Sequence, residues 1–392
     1  MFSLIPTLLM FAIGPIAGQP ACRPDAADVR AAGGDACAVD WMNRSLHMND
    51  LVAAGTHNSY KLAIPPAELA AMLAVNTGAT GLDYSHRPIT EQLDAGARQL
   101  EIDVLNDPQG GRFAHPLTAL GGGLSTGAAF DAAMARPGFK TLHMPDVDFR
   151  SSCLTFVACL DEIHAWSQAH PDHAPILIML NAKDGAASMP GGVVPLAFDA
   201  AAWDALDAEI RSVFESADLI TPDRVQGQHA TLREAVMNGG WPRLGQARGK
   251  VFFALDEGPE KVAAYRGARR SLEGRAMFVN IDEASPAAAY MTLNDPVTDH
   301  ARIQAAVRAG FIVRTRADAD TREARAGDVA RRDAALSSGA QYVSTDYLWA
   351  DPRFPTYAVR LADGVAAACN PVMVPGRCNG LAIERTADAS VR

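Results

Sequence analysis

The segment Leu51–Lys61, LVAAGTHNSYK, passes from an apolar run straight into His57, Asn58, Ser59 and Tyr60. A short strand that ends on an imidazole and a carboxamide delivers both to the place where a β/α barrel gathers its chemistry, the C-terminal ends of its strands. Further on, LEIDV carries Glu101 and Asp103 two residues apart, and so on one face of a strand. Two carboxylates that close repel each other and require a cation. Together with the Asn58 carbonyl they make an oxygen-rich set that suits Ca2+ or Mg2+ better than zinc. Other strand-like runs end on His143, on Asn181 and Lys183, on Asp256 and Glu257, on Asn280 and Asp282, on Arg314 and Arg316, and on Asp346 and Tyr347. Each has an ordinary explanation by itself. A histidine is often partly buried with no further role, and the two arginines could bridge Asp318 and Asp320. Their convergence on one rim points to phosphodiester chemistry. Two imidazoles can serve as base and acid on opposite sides of phosphorus. A divalent cation polarises a phosphoryl oxygen, and Arg and Lys hold phosphate charge. Glycoside cleavage needs only two carboxylates and leaves the Arg pair without a task.

The elements that would position these residues are eight apolar runs of strand length: Leu51–Thr56, Gln99–Val104, Lys140–Met144, Ile176–Leu180, Lys250–Leu255, Ala276–Ile281, Phe311–Thr315 and Gln341–Ser344. Short, almost wholly apolar runs are what strands buried on both faces require. Between them, helical spacing recurs in Ile89–Ala97, Leu154–His170, Trp203–Phe214 and Asp299–Gly310. Alternation of this kind predicts an α/β fold, a (β/α)8 TIM-type barrel. The rival, a doubly wound open sheet, calls for a glycine-rich phosphate loop. Gly121–Gly123 is a glycine cluster, but no GxGxxG or GxxxxGK[ST] occurs.

The composition of the 392 residues is that of a globular protein, 48% hydrophobic and 20% charged. A net charge of −10 argues against nucleic acid or an anionic membrane as a general electrostatic partner. Residues 1–18 pattern as a signal peptide, although without Lys or Arg before the apolar run. Residues 19–48 read as a lead-in, and 49–392 as a single barrel with a Cys-containing C-terminal extension. Six cysteines suit a secreted or periplasmic protein. Short loops favour Cys22 with Cys37, Cys153 with Cys159 and Cys369 with Cys378, among 15 possible connectivities. No CxxC pair suggests zinc.

The blocks GTHNSY, LEIDV, LHMPDVDFRSSCLTFVACL, VRTRADADT and GAQYVSTDY, in this order, resemble the bacterial calcium-dependent phosphoinositide phospholipase C family, one of the PLC-like phosphodiesterase barrels. The resemblance runs from about Asn49 to the segment at Cys369. It implies a TIM-type barrel, a Ca2+ cofactor and cleavage of a glycerol–phosphate–inositol diester. It also implies that His57 and His143 are the catalytic pair and that Asn58, Glu101 and Asp103 are metal ligands. His143 is preferred to His115 because it ends a strand-like run inside a matching block. Lys183, Arg314, Arg316, Asp346 and Tyr347 are the expected substrate-binding residues. One position departs from the pattern: Asn181 stands where a Glu ligand is expected, which removes a negative charge from the metal site and weakens it. The alternatives are a diesterase for glycerophosphodiesters or other phospholipids, and a secreted binding protein with little or no activity. The expected partner is a phospholipid or soluble phosphodiester, met by a monomer at a membrane interface only transiently, with no nucleic acid involved.

Overall fold

A computed structural model describes residues 36–121, 126–376, 378, 380–384 and 386. The expected signal peptide lies outside the described residues, as does the Cys22–Cys37 couple through Cys22.

Eight parallel strands form the core: β1 (Leu51–Thr56), β2 (Gln99–Val104), β3 (Ile176–Ala182), β4 (Val251–Leu255), β5 (Met277–Val279), β6 (Tyr290–Thr292), β7 (Ile312–Arg316) and β8 (Tyr342–Thr345). Their order around the sheet is β5-β4-β3-β2-β1-β8-β7-β6. A single parallel bridge, Asn280 to Tyr290, nearly closes it, and Asn280 Oδ1 accepts the Thr292 N–H at 3.1 Å at the same seam. Every residue of β1, β2 and β4 is buried, which is why these strands show no polar–apolar alternation. Gly55 meets β2 closely: a Cβ there would lie 2.5 Å from Gln99 Cβ and Gln99 O, so only glycine fits.

Helices cover the barrel where the spacing places them. Thr155 caps Phe156–Ala169 by accepting the Ala158 N–H, and Phe156, Leu160, Ile163 and Trp166 face the core. Asp199 likewise caps Ala200–Val213, which buries Trp203, Leu206 and Ile210.

The strand set differs from expectation in one exchange. Lys140–Met144 is not a barrel strand. Both edges of β2 are already paired, with β1 and β3, so no slot remains for it. It makes isolated bridges instead, Leu105 to Lys140 and Lys140 to Thr155, inside the long β2–β3 connection, and Lys140 pairs with Asp107 at 3.4 Å. The eighth place belongs to β6, three residues long, whose apolar stretch 287–291 opens on three alanines that do not favour a strand.

The N-terminal end of the barrel is closed by the helix Ala36–Ser45, whose Ala38 and Met42 pack with Ala382 and Ile383 of the C-terminal segment. A further strand, β9 (Ala368–Cys369), pairs antiparallel with the start of β1. Cys153–Cys159 and Cys369–Cys378 are disulfides, as the loop lengths suggest. No helix among the described residues is long and apolar enough to cross a membrane.

Candidate active site

His57 follows β1 directly, its N–H bonded to Thr345 O of the adjacent β8 at 3.0 Å. Its Nδ1 lies 2.7 Å from Asp346 Oδ1. An ionised carboxylate can only accept, so Nδ1 carries the proton and Nε2 is the basic atom. Tyr84 Oη and Arg316 Nη2 also approach Nδ1, at 3.2 and 3.3 Å. Nε2 faces Glu101 Oε1 at 3.6 Å. Burial, then the charges of Arg316 and Arg314, and then that of His143, hold the His57 pKa well below its ordinary value. The imidazole is therefore neutral, with Nε2 free of a proton. Asp346, behind it, takes its place through Asp318: Asp318 Oδ1 accepts the Asp346 N–H at 2.8 Å.

Asn58 adopts φ +48°, a left-handed turn that asparagine tolerates, and so ends the strand. Its Nδ2 donates to Tyr84 Oη at 2.9 Å. That fixes the amide and leaves Oδ1 buried with no partner. Glu101 Oε2 accepts from Arg314 Nη2 at 2.6 Å. Arg314 is itself held by Asn294 Oδ1 at 2.6 Å and Ser344 Oγ at 2.9 Å. Burial outweighs Arg314 and pushes the Glu101 carboxyl up to about 7. Asp103 Oδ2 accepts from Tyr60 Oη at 2.8 Å and pairs with Lys183 Nζ at 3.1 Å, while Oδ1 is buried and unpartnered. Asn181 sits opposite Asp103 in the β2–β3 register, its Nδ2 donating to Asp256 O at 2.6 Å.

The second imidazole is built separately. His143 Nδ1 lies 2.9 Å from Asp148 Oδ2, which again leaves Nε2 outward. Asp148 is held by Lys61, a side chain with no solvent exposure, at 3.2 Å. The Lys61 ammonium also donates to the carbonyls of Leu82 and Tyr84, both at 2.9 Å. One buried cation thus ties the carboxylate behind His143 to the loop whose Tyr84 touches His57.

Two imidazoles, each backed by a carboxylate, stand within electrostatic reach of one another at the strand ends of a barrel, next to two carboxylates on β2. Residues 46–371 match the model of the family described as Phosphoinositide phospholipase C, Ca2+-dependent. The chain belongs to that family. An apo calcium-dependent phosphoinositol-specific phospholipase C from a Gram-negative Pseudomonas sp. is 18% identical. The match covers 84% of this chain and 96% of that one, at a TM-score of 0.50, and the two share the barrel. A Ca2+-dependent phosphatidylinositol-specific phospholipase C from Streptomyces antibioticus is also 18% identical, covering 81% of this chain and 99% of its own at a TM-score of 0.49. Curated proteins give no match.

The donor set fits the hard cation that the phospholipase C family implies. Asn58 Oδ1 and Asp103 Oδ1 are buried acceptors without partners, and the Arg314 bond to Glu101 uses Oε2, leaving Oε1 facing His57. All are oxygens. Asn181 is the remaining neighbour on β3.

Some expected residues fall elsewhere. Tyr347 does not join these contacts: it is 3% exposed and packs edge-on against Phe354 and Tyr357. Asp346 and Arg316 meet His57 itself, and Arg314 meets Glu101. Asn280 closes the barrel seam, Asp282 is exposed in a turn, and so is His115 in its loop. Lys61, Tyr84 and Asp148 were not singled out by sequence, and Tyr60 and Asp318 were noted without a role in the site. Asp148 lies five residues after His143 in the block that carries the resemblance, and that spacing was the available signal. Nothing in the pattern around Tyr84 marks it.

Proposed function

We propose that the protein is a calcium-dependent phosphodiesterase that cleaves phosphatidylinositol-type lipids. The observation that carries this reading is the pair of oriented imidazoles: Asp346 on His57 Nδ1 and Asp148 on His143 Nδ1, each leaving Nε2 for the substrate. His57 Nε2 takes the proton from a ring hydroxyl beside the phosphoester, with Asp346 stabilising the imidazolium that forms. His143 Nε2 donates the proton to the departing alcohol oxygen. The attacking and leaving oxygens both belong to the substrate, so the first product is a cyclic phosphate. Asn58, Glu101, Asp103 and Asn181 would hold the Ca2+, which supplies charge for the phosphoryl oxygen and the attacking hydroxyl.

A lipid as leaving group is supported by a cleft of about 240 Å³ lined by Leu62, Phe130, Phe149, Arg150 and Leu154. Two of its wall residues, Leu62 and Phe149, directly follow Lys61 and Asp148 in the chain. The disulfides suit an exported protein acting in an oxidising compartment, as a monomer that meets the membrane transiently.

Activity on phosphatidylinositol, phosphatidylcholine and glycerophosphoinositol, with and without EDTA and with products read by phosphorus NMR, tests the reading. Cyclic inositol phosphate from phosphatidylinositol, lost in EDTA, is the expected result. An open monoester alone would indicate water attack and a glycerophosphodiesterase. Calcium binding without turnover on any diester would indicate a binding protein, the reading that Asn181 favours.

A further inference from the structure

Lys183 directly follows β3, and its ammonium enters the same anionic well that the calcium reading assigns to the metal. It lies 3.1 Å from Asp103 Oδ2. The negative charges that act on it most strongly are those of Asp103, Glu101 and Glu257. Two of these three groups are the β2 carboxylates of the proposed metal site. Asp103 has no exposure of its own, and its other close contact is the neutral Tyr60 hydroxyl. The neighbouring Asn181 brings no charge. The β2 carboxylates therefore meet two side-chain cations of different kinds. Arg314 is buried and fixed on Glu101 by Asn294 and Ser344. Lys183 is partly exposed, on a flexible stem, and makes the one side-chain ion pair to Asp103 among the described residues.

Resting on the calcium reading above, we propose that Lys183 is a tethered cation sharing one well with Ca2+, so that Ca2+ and a phosphate anion bind cooperatively and Lys183 carries the coupling. Asp103 cannot keep both cations at full strength. A divalent ion on its free Oδ1 repels the ammonium, and the ammonium weakens the hold on the ion. A phosphate anion beside the well gives the displaced ammonium a new partner. This removes the competition for Asp103. By linkage, the factor by which the anion tightens Ca2+ equals the factor by which Ca2+ tightens the anion. The free protein is then weakly metallated, and substrate completes the site. The absent third carboxylate, at Asn181, makes this competition decisive, because the well holds too little negative charge for both cations.

Isothermal titration of Ca2+ into the wild-type protein, Lys183→Met and Lys183→Arg tests this, each without and with saturating myo-inositol 1-phosphate. In the wild type the anion is expected to tighten Ca2+ by about tenfold, within the usual range of coupling between sites. Lys183→Met is expected to bind Ca2+ alone about tenfold more tightly than the wild type and to gain less than about twofold from the anion. Lys183→Arg, which keeps the charge, is expected to follow the wild type and so separates charge from altered packing. If Lys183→Met binds Ca2+ alone no more tightly than the wild type, or keeps the full gain from the anion, the inference is overturned while the calcium reading stands. If Lys183→Arg behaves as Lys183→Met, the effect is not one of charge, and the inference is again overturned. If none of the three proteins binds Ca2+ in either condition, the calcium reading and this inference fall together.

Discussion

The two ends of the barrel hold buried charge in opposite ways. At the N-terminal end, Arg98 donates from Nε to Glu384 Oε2 at 2.9 Å, pairs with Oε1 as well, and gives Nη1 to the carbonyls of Leu93 and Ala97. Its guanidinium lies 4.9 Å from the Trp166 ring centre. Glu384 also accepts the Ala174 N–H at 2.7 Å, and the nearby His173 is spent on Ser167 Oγ and Ala174 O. These groups answer one another. At the C-terminal end, Asn58, Asp103 and Asp148 each keep a buried oxygen without a partner. The first end is arranged for a single packed state. The second is arranged around something that arrives, and it tolerates incomplete pairing that would otherwise destabilise it. Charge at the closed end should therefore matter for stability alone, and charge at the open end for turnover.

The largest expected effect is at the open end. Asp346→Asn keeps the shape but frees His57 to take either tautomer, and kcat on phosphatidylinositol should fall by about a hundred- to thousandfold. The melting temperature should barely move, and a large loss of stability would erase the contrast. At the closed end, Arg98→Met leaves Glu384 buried without its cation. Urea unfolding should show a loss of about 3 kcal/mol, with kcat unchanged in the folded fraction. Lys61 lies between the two behaviours, structural in burial and, on the proposed mechanism, tied to the proton donor through Asp148. Lys61→Met should lower kcat about tenfold by releasing Asp148 from its fixed position behind His143, with KM little changed. A change in KM alone would place Lys61 in substrate binding instead.

The last expectation concerns pH. Burial, and then the charge of Arg98, lower the His173 pKa to about 4. The unfolded chain takes up this proton below about 6.5 and the folded chain only near 4. The contribution is intact above pH 6.5 and is lost as the pH falls towards 4. The urea midpoint should decline across that window, less steeply in His173→Gln.

The barrel was legible because strands buried on both faces leave continuous apolar runs, and seven of its eight strands lie in such runs. β6 was not legible because the apolar stretch that holds it, 287–291, opens on three alanines, a residue depleted in strands. Lys140–Met144 imitated a strand because the β2–β3 connection is itself buried, which local pattern does not distinguish from membership of the sheet. The polar residues at strand ends, His57, Glu101, Asp103 and Arg314, could be read because topology alone puts them on one rim. Lys61, Tyr84 and Asp148 could not, because their roles arise from loops meeting in space. Tyr347 shows the converse: a strand-end position whose ring turns into the packing behind.

The claim on which everything turns is that His57 and His143 serve one diester together. Turnover of a soluble chromogenic inositol phosphodiester by His57→Ala and His143→Ala, each with an unchanged melting temperature, tests it most directly. The account expects each variant to lose at least about a thousandfold. Turnover near that of the wild type in either variant would contradict it.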